Sequence, residues 1–202
     1  MGTEALEKIF LYWLCHLPDA GALQIRRIGE AAGGFQQAYY IEGTQLWKKG
    51  IFKKEENALR FDAWKGEFSR LEEEYYKLSE KGIYFITPLD EEYPRRLYSV
   101  YDYPLGLYVK GSLPKEDKAT AAVIGARNCT AYGREAAGYM AKELAAAGIQ
   151  IISGMALGID GAGHEGAMAA GGMTYAVLGC GVDQCYPRSN FDLYEISHFM
   201  GD

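Results

Sequence analysis

The sequence predicts an α/β protein with a doubly wound parallel sheet, preceded by a small all-helical part. From residue 83 onward, short apolar runs alternate with helical segments, and glycine stands at the C-terminal end of the runs. Before that point, residues 4–80 place their apolar side chains at helical spacing. We therefore expect two domains, a helical one over 1–69 and an α/β one over 70–202.

The helical part is built from segments that end at glycine. "EALEKIFLYWLCHL" carries a wide apolar stripe, and "GALQIRRIGEAAGG" repeats the pattern until Gly33 and Gly34. A further helix is predicted from about residue 61 to 80. Short helices joined by glycine turns suit a module that binds DNA through helix-hairpin-helix-like turns, and they suit a protein interaction module equally well.

The predicted strands are "IYFIT", "LGLYVKG", "AAVIGA", "IQIISG" and "TYAVLGCG". Helical segments "YGREAAGYMAKELAAAG" and "GAGHEGAMAAGG" separate the last three of them. In a parallel sheet of this type, ligands bind at the carboxyl ends of the strands. The glycine-bearing corners "IGARNCT", "SGMALGID" and "LGCGVD" all fall there, so we expect them to form one binding rim.

Composition restricts how such a rim could bind an anion. The chain of 202 residues has a net charge of −6, and residues 119–202 hold four Lys/Arg against eight Asp/Glu. Binding of nucleic acid therefore requires a local site and not a broad basic face. No signal peptide or membrane span is predicted, so we expect a cytoplasmic protein, and the four scattered cysteines are expected to be reduced thiols without a metal.

The first corner offers groups that suit a phosphate. Gly125 permits a tight turn and close approach of a ligand, Asn128 or Thr130 can cap the next helix, and Arg127 presents a planar guanidinium. The alternative for Arg127 is an ion pair with a nearby carboxylate. A dinucleotide fingerprint would need G-x-G-x-x-G, and only one glycine is present here, so no nucleotide cofactor is expected.

The second corner contains an acid and a base four residues apart. Ser153 and Gly154 end the strand, Gly158 permits another close approach, and Asp160 occupies an expected helix N-cap. Two roles are open for this pair. In the structural role, Asp160 caps the helix and hydrogen-bonds to His164; in the catalytic role, Asp160 orients His164 as a base. The pattern lacks a nucleophile elbow, which favours the structural role.

The third corner adds an aromatic side chain and a cation. Gly179 and Gly181 end the strand, and Tyr186, Arg188 and Asn190 follow in the loop. Tyrosine can stack on unpaired bases, although packing inside the protein is its commoner role.

These motifs together resemble the DNA-processing protein A family, also called DprA or Smf. The stretch from "VIGARNCTAYG" to "CYPRSN" is similar to its Rossmann-like domain, and a D-x-x-Y-P-x-x-L element precedes it at Asp90, Tyr93, Pro94 and Leu97. The similarity covers about residues 70–197, and 1–69 is compatible with the family's SAM-like domain. At Leu157 this chain departs from the arginine that the family often has before G-I-D.

The resemblance implies a binding protein without enzymatic activity. Family members bind and protect single-stranded DNA in natural transformation, help to load the RecA recombinase and form dimers; their G-x-R loop, here Gly125 and Arg127, belongs to the DNA pocket. With Asp160 and His164 as structural residues, the predicted DNA- and phosphate-binding residues are Gly125, Ala126, Arg127, Asn128, Thr130, Ser153, Gly154, Gly158, Gly179, Gly181, Tyr186, Arg188 and Asn190.

Two further expectations concern the chain end and a rival function. Family members continue beyond the Y-P-x-x-N element at Tyr186, Pro187 and Asn190, so we expect an incomplete α/β domain here. The rival is a nucleotide-binding or nucleoside-monophosphate-hydrolysing enzyme of the phosphoribohydrolase type. Such enzymes carry P-G-G-x-G-T-x-x-E, which this sequence lacks.

Overall fold

The computed structural model describes residues 3–194. The chain divides into two compact units, Met1–Tyr108 and Val109–Asp202. This division falls later than the predicted boundary between residues 69 and 70, which stays a prediction. Within the described residues, no helix combines the length and the apolar character needed to cross a membrane.

The first unit is mainly helical. Its core is a cluster of buried apolar side chains that includes Trp13, Leu14, Ile28 and Phe61. The helices are α1 (Thr3–Cys15), α2 (Ala22–Ala32), α3 (Phe35–Tyr40), α4 (Gly43–Lys48), α5 (Glu55–Trp64) and α6 (Phe68–Glu80). The predicted end of the second helix is confirmed, because Gly33 adopts a left-handed φ of 86° and its N–H bonds back to Gly29.

The single helix predicted over 61–80 is interrupted. A 3-10 turn, Lys65–Glu67, separates α5 from α6. At the break, the indole N–H of Trp13 donates to the Trp64 carbonyl at 3.2 Å, and the Phe68 N–H bonds to the Lys65 carbonyl. The helix break thus coincides with a contact to a residue 51 positions away, which local periodicity does not reveal.

Two of the predicted strands pair with each other. They are β1 (Ile83–Ile86) and β2 (Leu107–Lys110), which form a separate two-stranded sheet. The segment between them includes the 3-10 helix Arg95–Ser99.

The second unit contains the predicted parallel sheet. Strands β3 (Thr120–Ala122), β4 (Gln150–Ser153) and β5 (Thr174–Ala176) lie in the order β3-β4-β5, and both pairings are parallel. Helix α7 (Ala131–Ala146) connects β3 to β4, and α8 (Ile159–Ala169) connects β4 to β5. The predicted α/β class with a parallel sheet is thereby confirmed.

Small residues let α7 and α8 pack closely against each other and against the sheet. A side chain at Gly166 would overlap the backbone of Gly138, and one at Gly163 would lie 2.8 Å from Val123. The core of this unit is a cluster of buried alanines around Ile151. This close packing fixes the start of α8 relative to the ends of the strands.

Candidate nucleic-acid interface

The carboxyl ends of the three parallel strands meet at one edge of the sheet. The registers align Ala122 with Ile152 and Ser153 with Ala176, so the loops that follow the strands are neighbours. We call these loops corners one, two and three; they span 123–130, 153–158 and 177–190. The three corners are therefore adjacent, as the parallel sheet predicts.

Gly158 brings corner two against corner one. Its φ of 80° and ψ of −121° are accessible to glycine and strained for other residues. A side chain there would overlap the carbonyl oxygens of Ala126 and Arg127. The next residue, Ile159, donates its N–H to the Ala126 carbonyl at 3.3 Å. Gly158 is therefore needed for loop packing, beyond any contact with a ligand.

Asp160 joins corners one and two through backbone hydrogen bonds. Its carboxylate accepts the Gly125 N–H on Oδ1 at 3.3 Å and the Gly154 N–H on Oδ2 at 3.1 Å. The predicted N-cap role is wrong, because Gly158 is the N-cap of α8 and Asp160 lies within the first turn. Since this carboxylate takes both N–H groups, Gly125 and Gly154 hold the loops together.

His164 is fully buried and bonds to Thr174. Its Nδ1 lies 2.7 Å from Thr174 Oγ1, which donates to the Ile151 carbonyl at 3.3 Å. The expected hydrogen bond to Asp160 is not made; among the described residues, Nε2 has no partner. Burial lowers the pKa of His164 to about 4, and the nearby Asp160 charge opposes this only in part. His164 is therefore a neutral packing residue, which argues against the catalytic-base alternative.

Two further polar side chains predicted at the site serve the backbone. The Ser153 hydroxyl is buried and donates to the Val123 carbonyl at 2.6 Å, which links β4 to the end of β3. Thr130 caps α7 by accepting the Gly133 N–H at 3.0 Å, so of the two predicted caps Thr130 takes the role. Asn128 is exposed in the same loop.

Asn190 ties corner three to corner two. Its side-chain amide donates to the carbonyl of Met155 at 2.9 Å and to that of Ala156 at 3.3 Å. Met155 has a left-handed φ of 59°, which is unusual for a residue with a side chain. The amide of Asn190 thus stabilises a strained turn and is directed at protein backbone.

A pocket of about 430 Å³ lies where the three corners meet. It combines one cation with aromatic, aliphatic and backbone surface, and its lining residues are Arg127, Gly154, Ala156, Leu157, Leu178, Gly179, Cys180, Tyr186 and Pro187. Four of these were predicted site residues: Arg127, Gly154, Gly179 and Tyr186. Leu178 and Cys180 flank the strand-end glycine Gly179, so the sequence could have indicated them. No local sequence feature indicated Ala156.

Arg127 is exposed and, within residues 3–194, makes no ion pair. The alternative in which it pairs with a carboxylate is therefore not found in the described part of the chain. Tyr186 lines the same pocket with 65% of its surface exposed. The other predicted residues, Ala126, Gly181 and Arg188, lie in the corners outside the pocket lining.

Metal and disulfide chemistry has no visible basis in the described residues. All four cysteines are free thiols in the structure. No group of three or more His, Cys, Asp or Glu side chains in the described part could hold a metal ion.

Comparison with known proteins identifies the family. The family model described as DNA recombination-mediator protein A matches residues 84–198, which include strands β2 to β5, all of β1 except Ile83, and all three corners. The chain belongs to this family. A Bacillus subtilis relative named DNA processing protein DprA is 38% identical over 115 residues, covering 56% of this chain and 39% of the relative. The Streptococcus pneumoniae DprA is 39% identical over 102 residues, covering 50% and 36%.

Two solved structures extend the similarity to the fold. The X-ray structure of DprA from S. pneumoniae has a TM-score of 0.71 at 26% identity and covers 95% of this chain and 63% of that chain. A structure of DNA processing protein A from Helicobacter pylori, described in terms of its single-stranded DNA binding mode, has a TM-score of 0.50 at 31% identity, covering 57% and 51%. The matched parts therefore span well under the full length of these family members.

Proposed function

We propose that the rim formed by corners one to three binds single-stranded DNA. The observation that carries the proposal is the pocket in which Arg127, which has no ion-pair partner among the described residues, and an exposed tyrosine face the same space. A phosphate oxygen suits the guanidinium, and the face of an unpaired base suits the ring. The H. pylori family member is described as a single-stranded DNA binder, which supports this choice of ligand.

Residue roles follow from the geometry of the rim. In the proposal, Arg127 contacts a phosphate, Tyr186 stacks on a base, and Leu157 provides apolar surface for the sugar and the base edge. Gly179 leaves room for close approach of the strand. Ala126, Asn128, Gly181 and Arg188 contribute from the surrounding loops, while the remaining predicted residues hold those loops in place; these are Gly125, Thr130, Ser153, Gly154, Gly158 and Asn190.

Titration of labelled oligo-dT with Arg127→Ala tests the proposal. Loss of one charged hydrogen bond, about 1.5–3 kcal/mol, is expected to weaken binding roughly tenfold or more at fixed salt. Arg60→Ala is the matched control, because Arg60 is also exposed but lies on α5 and pairs with Glu56. Equal affinities for wild type and Arg127→Ala would remove Arg127 from the site.

We propose the wider role of the family for this chain. Single strands held at the rim would be protected during transformation and passed to the RecA recombinase in the cytoplasm, which fits the description of the family as recombination mediators. A homodimer is the assembly we propose. Light scattering, followed by RecA binding assays on coated single strands, separates these steps; a monomer that does not recruit RecA would limit the function to strand binding.

Binding without catalysis is the form of the proposal that the site supports best. His164, the histidine nearest the rim in sequence, is buried and has a lowered pKa, so it is poorly placed to exchange protons with a bound nucleotide. Incubation with nucleoside monophosphates distinguishes the hydrolase alternative. Release of free base would make the chain an enzyme and overturn this view.

We also propose the domain organisation expected from the sequence, a SAM-like helical module over 1–69 and a Rossmann-like domain over 70–202. Helices α1 to α5 belong to the first range and all the described strands to the second. Limited proteolysis followed by mass measurement tests the boundary. First cleavage near residue 108, where the compact units divide, would contradict it.

A further inference from the structure

A surface unrelated to the pocket presents tyrosines in the first unit. It lies in the segment between β1 and β2, where Tyr98 is 46% exposed and Tyr101 is 76% exposed. Val100 between them is also exposed. Three large apolar side chains exposed within four residues contribute little to the core of the protein, so their exposure points to a binding role.

Hydrogen bonds hold this segment in a fixed conformation. Asp90 pairs with Lys8 of α1 at 2.7 Å, and its other oxygen accepts the N–H and the hydroxyl of Thr87 at 2.7 and 2.8 Å. The buried Tyr93 donates its hydroxyl to the Pro104 carbonyl at 2.5 Å. Hydrogen bonds therefore anchor the loop that carries the exposed tyrosines on both sides, and such anchoring lowers the entropy lost when they bind a ligand.

Arg26 of α2 adds a cation to the tyrosines. Its guanidinium lies 4.1 Å from the centre of the Tyr103 ring, and Tyr103 packs edge-on against Tyr98 with ring centres 5.0 Å apart. Nη2 makes one long contact, 3.5 Å, to the Tyr101 carbonyl. Among the described residues, no carboxylate oxygen lies within 4 Å of Arg26, and its buried Nε has no hydrogen-bond partner. The charge is thus left for an external anion.

We propose that Arg26, Tyr98, Tyr101 and Tyr103, here called the tyrosine surface, form a second contact for single-stranded nucleic acid. This rests on the proposed function and extends it to a site in the first unit. Unpaired bases stack on the exposed tyrosine faces while Arg26 takes a phosphate oxygen. An acidic peptide would satisfy Arg26 but would leave the ring faces unused, and a duplex keeps its base faces covered.

Photocrosslinking of the full chain to oligo-dT containing 5-iododeoxyuridine locates the contact directly. Trypsin cleaves after Arg96 and Lys110, so one peptide, 97–110, carries the tyrosines of the segment. Tyr186, the proposed stacking residue of the pocket, lies in a different tryptic peptide, 143–188. Crosslinks are expected in both peptides with single strands, and irradiation with the matching duplex is expected to leave 97–110 unmodified.

A double variant, Tyr98→Leu with Tyr101→Leu, measures the contribution of stacking. It keeps apolar bulk and removes the aromatic faces, so affinity for oligo-dT is expected to fall about fivefold, the lower end for one stacked base. The control pair is Tyr40→Leu with Tyr84→Leu, two exposed tyrosines of the same unit outside the surface. Circular dichroism establishes that both double variants are folded.

The outcomes separate this inference from the proposed function. Binding that depends on Arg127, with no crosslink in 97–110 and unchanged affinity of the double variant, overturns the tyrosine surface as a nucleic-acid contact. A wild-type chain that does not bind oligo-dT overturns the proposed function, and the second contact fails with it.

Discussion

Individual residues at the rim stabilise loops more than the sequence indicated. Asp160 contacts backbone N–H groups 35 and 6 positions away, and Asn190 contacts carbonyls 35 and 34 positions away. Sequence patterns placed both residues in segments that follow strand ends, but a side chain's partner in another loop depends on packing. The predicted cap and the predicted Asp160–His164 pair fail for this reason.

The shifted pKa of His164 makes the free energy of unfolding depend on pH in the acid range. Burial lowers its folded-state pKa to about 4, below the value near 6.5 of an exposed histidine. The unfolded chain therefore binds more protons between these values, so the stabilising effect is complete above about pH 6.5 and is lost as pH falls toward 4. The free energy of unfolding lost in this way is about 3 kcal/mol in full, at 1.36 kcal/mol per pKa unit.

Urea denaturation of wild type and His164→Gln at several pH values checks this expectation. The free energy of unfolding of the wild type should fall between pH 6.5 and 4 by up to about 3 kcal/mol more than that of the variant. Identical pH dependence in the two proteins would show that His164 is not buried in its neutral form.

At the scale of elements, the close packing of α7 on α8 depends on single glycines. Gly166→Ala places a methyl group against the Gly138 backbone, which cannot rotate away, so destabilisation of about 1–3 kcal/mol is expected. Gly161→Ala in the same helix meets only ordinary contact, 3.5 Å from the Ala156 carbonyl, and should gain up to about 1 kcal/mol from helix propensity. Thermal unfolding of the two variants measures whether each substitution raises or lowers stability. If neither substitution destabilises the protein, the close helix packing is contradicted.

Elements were predictable where local chemistry determines them. The end of α2 at Gly33, the Thr130 cap of α7 and the parallel strands β3 to β5 follow from glycine, capping residues and apolar runs. The break between α5 and α6, which coincides with the Trp13–Trp64 contact, was not predictable from local periodicity. The pairing of β1 with β2 alone was likewise not predictable, since periodicity carries no information on strand partners.

Several features of the binding rim could be inferred from the sequence because parallel strands must end at one edge. That rule predicts that the corners carrying Arg127, Gly154, Gly179 and Tyr186 lie at one edge, and all four residues line the pocket. It could not say which backbone N–H groups remain free for a ligand. Asp160 takes those of Gly125 and Gly154, which shifts the proposed phosphate contact from the backbone to the Arg127 side chain.

For the whole molecule, net charge determines how binding should respond to salt. With a net charge of −6, acidic residues outnumber basic ones in this chain. The proposed contacts to phosphate use only Arg127, Arg188 and Arg26. Each phosphate neutralised on a single strand contributes about 0.7 to the slope of log affinity against log salt. Two or three contacts therefore give a slope of magnitude about 1.4–2.1.

Titrations of oligo-dT at four salt concentrations measure this slope for wild type and Arg127→Ala. Loss of Arg127 should lower its magnitude by about 0.7, because one phosphate contact disappears. Tyr186→Leu should weaken binding at every salt concentration and leave the slope unchanged, since stacking releases no counterions. A wild-type slope above about 4 would require six or more phosphate contacts, and so a broad basic face that the charge of this chain does not provide.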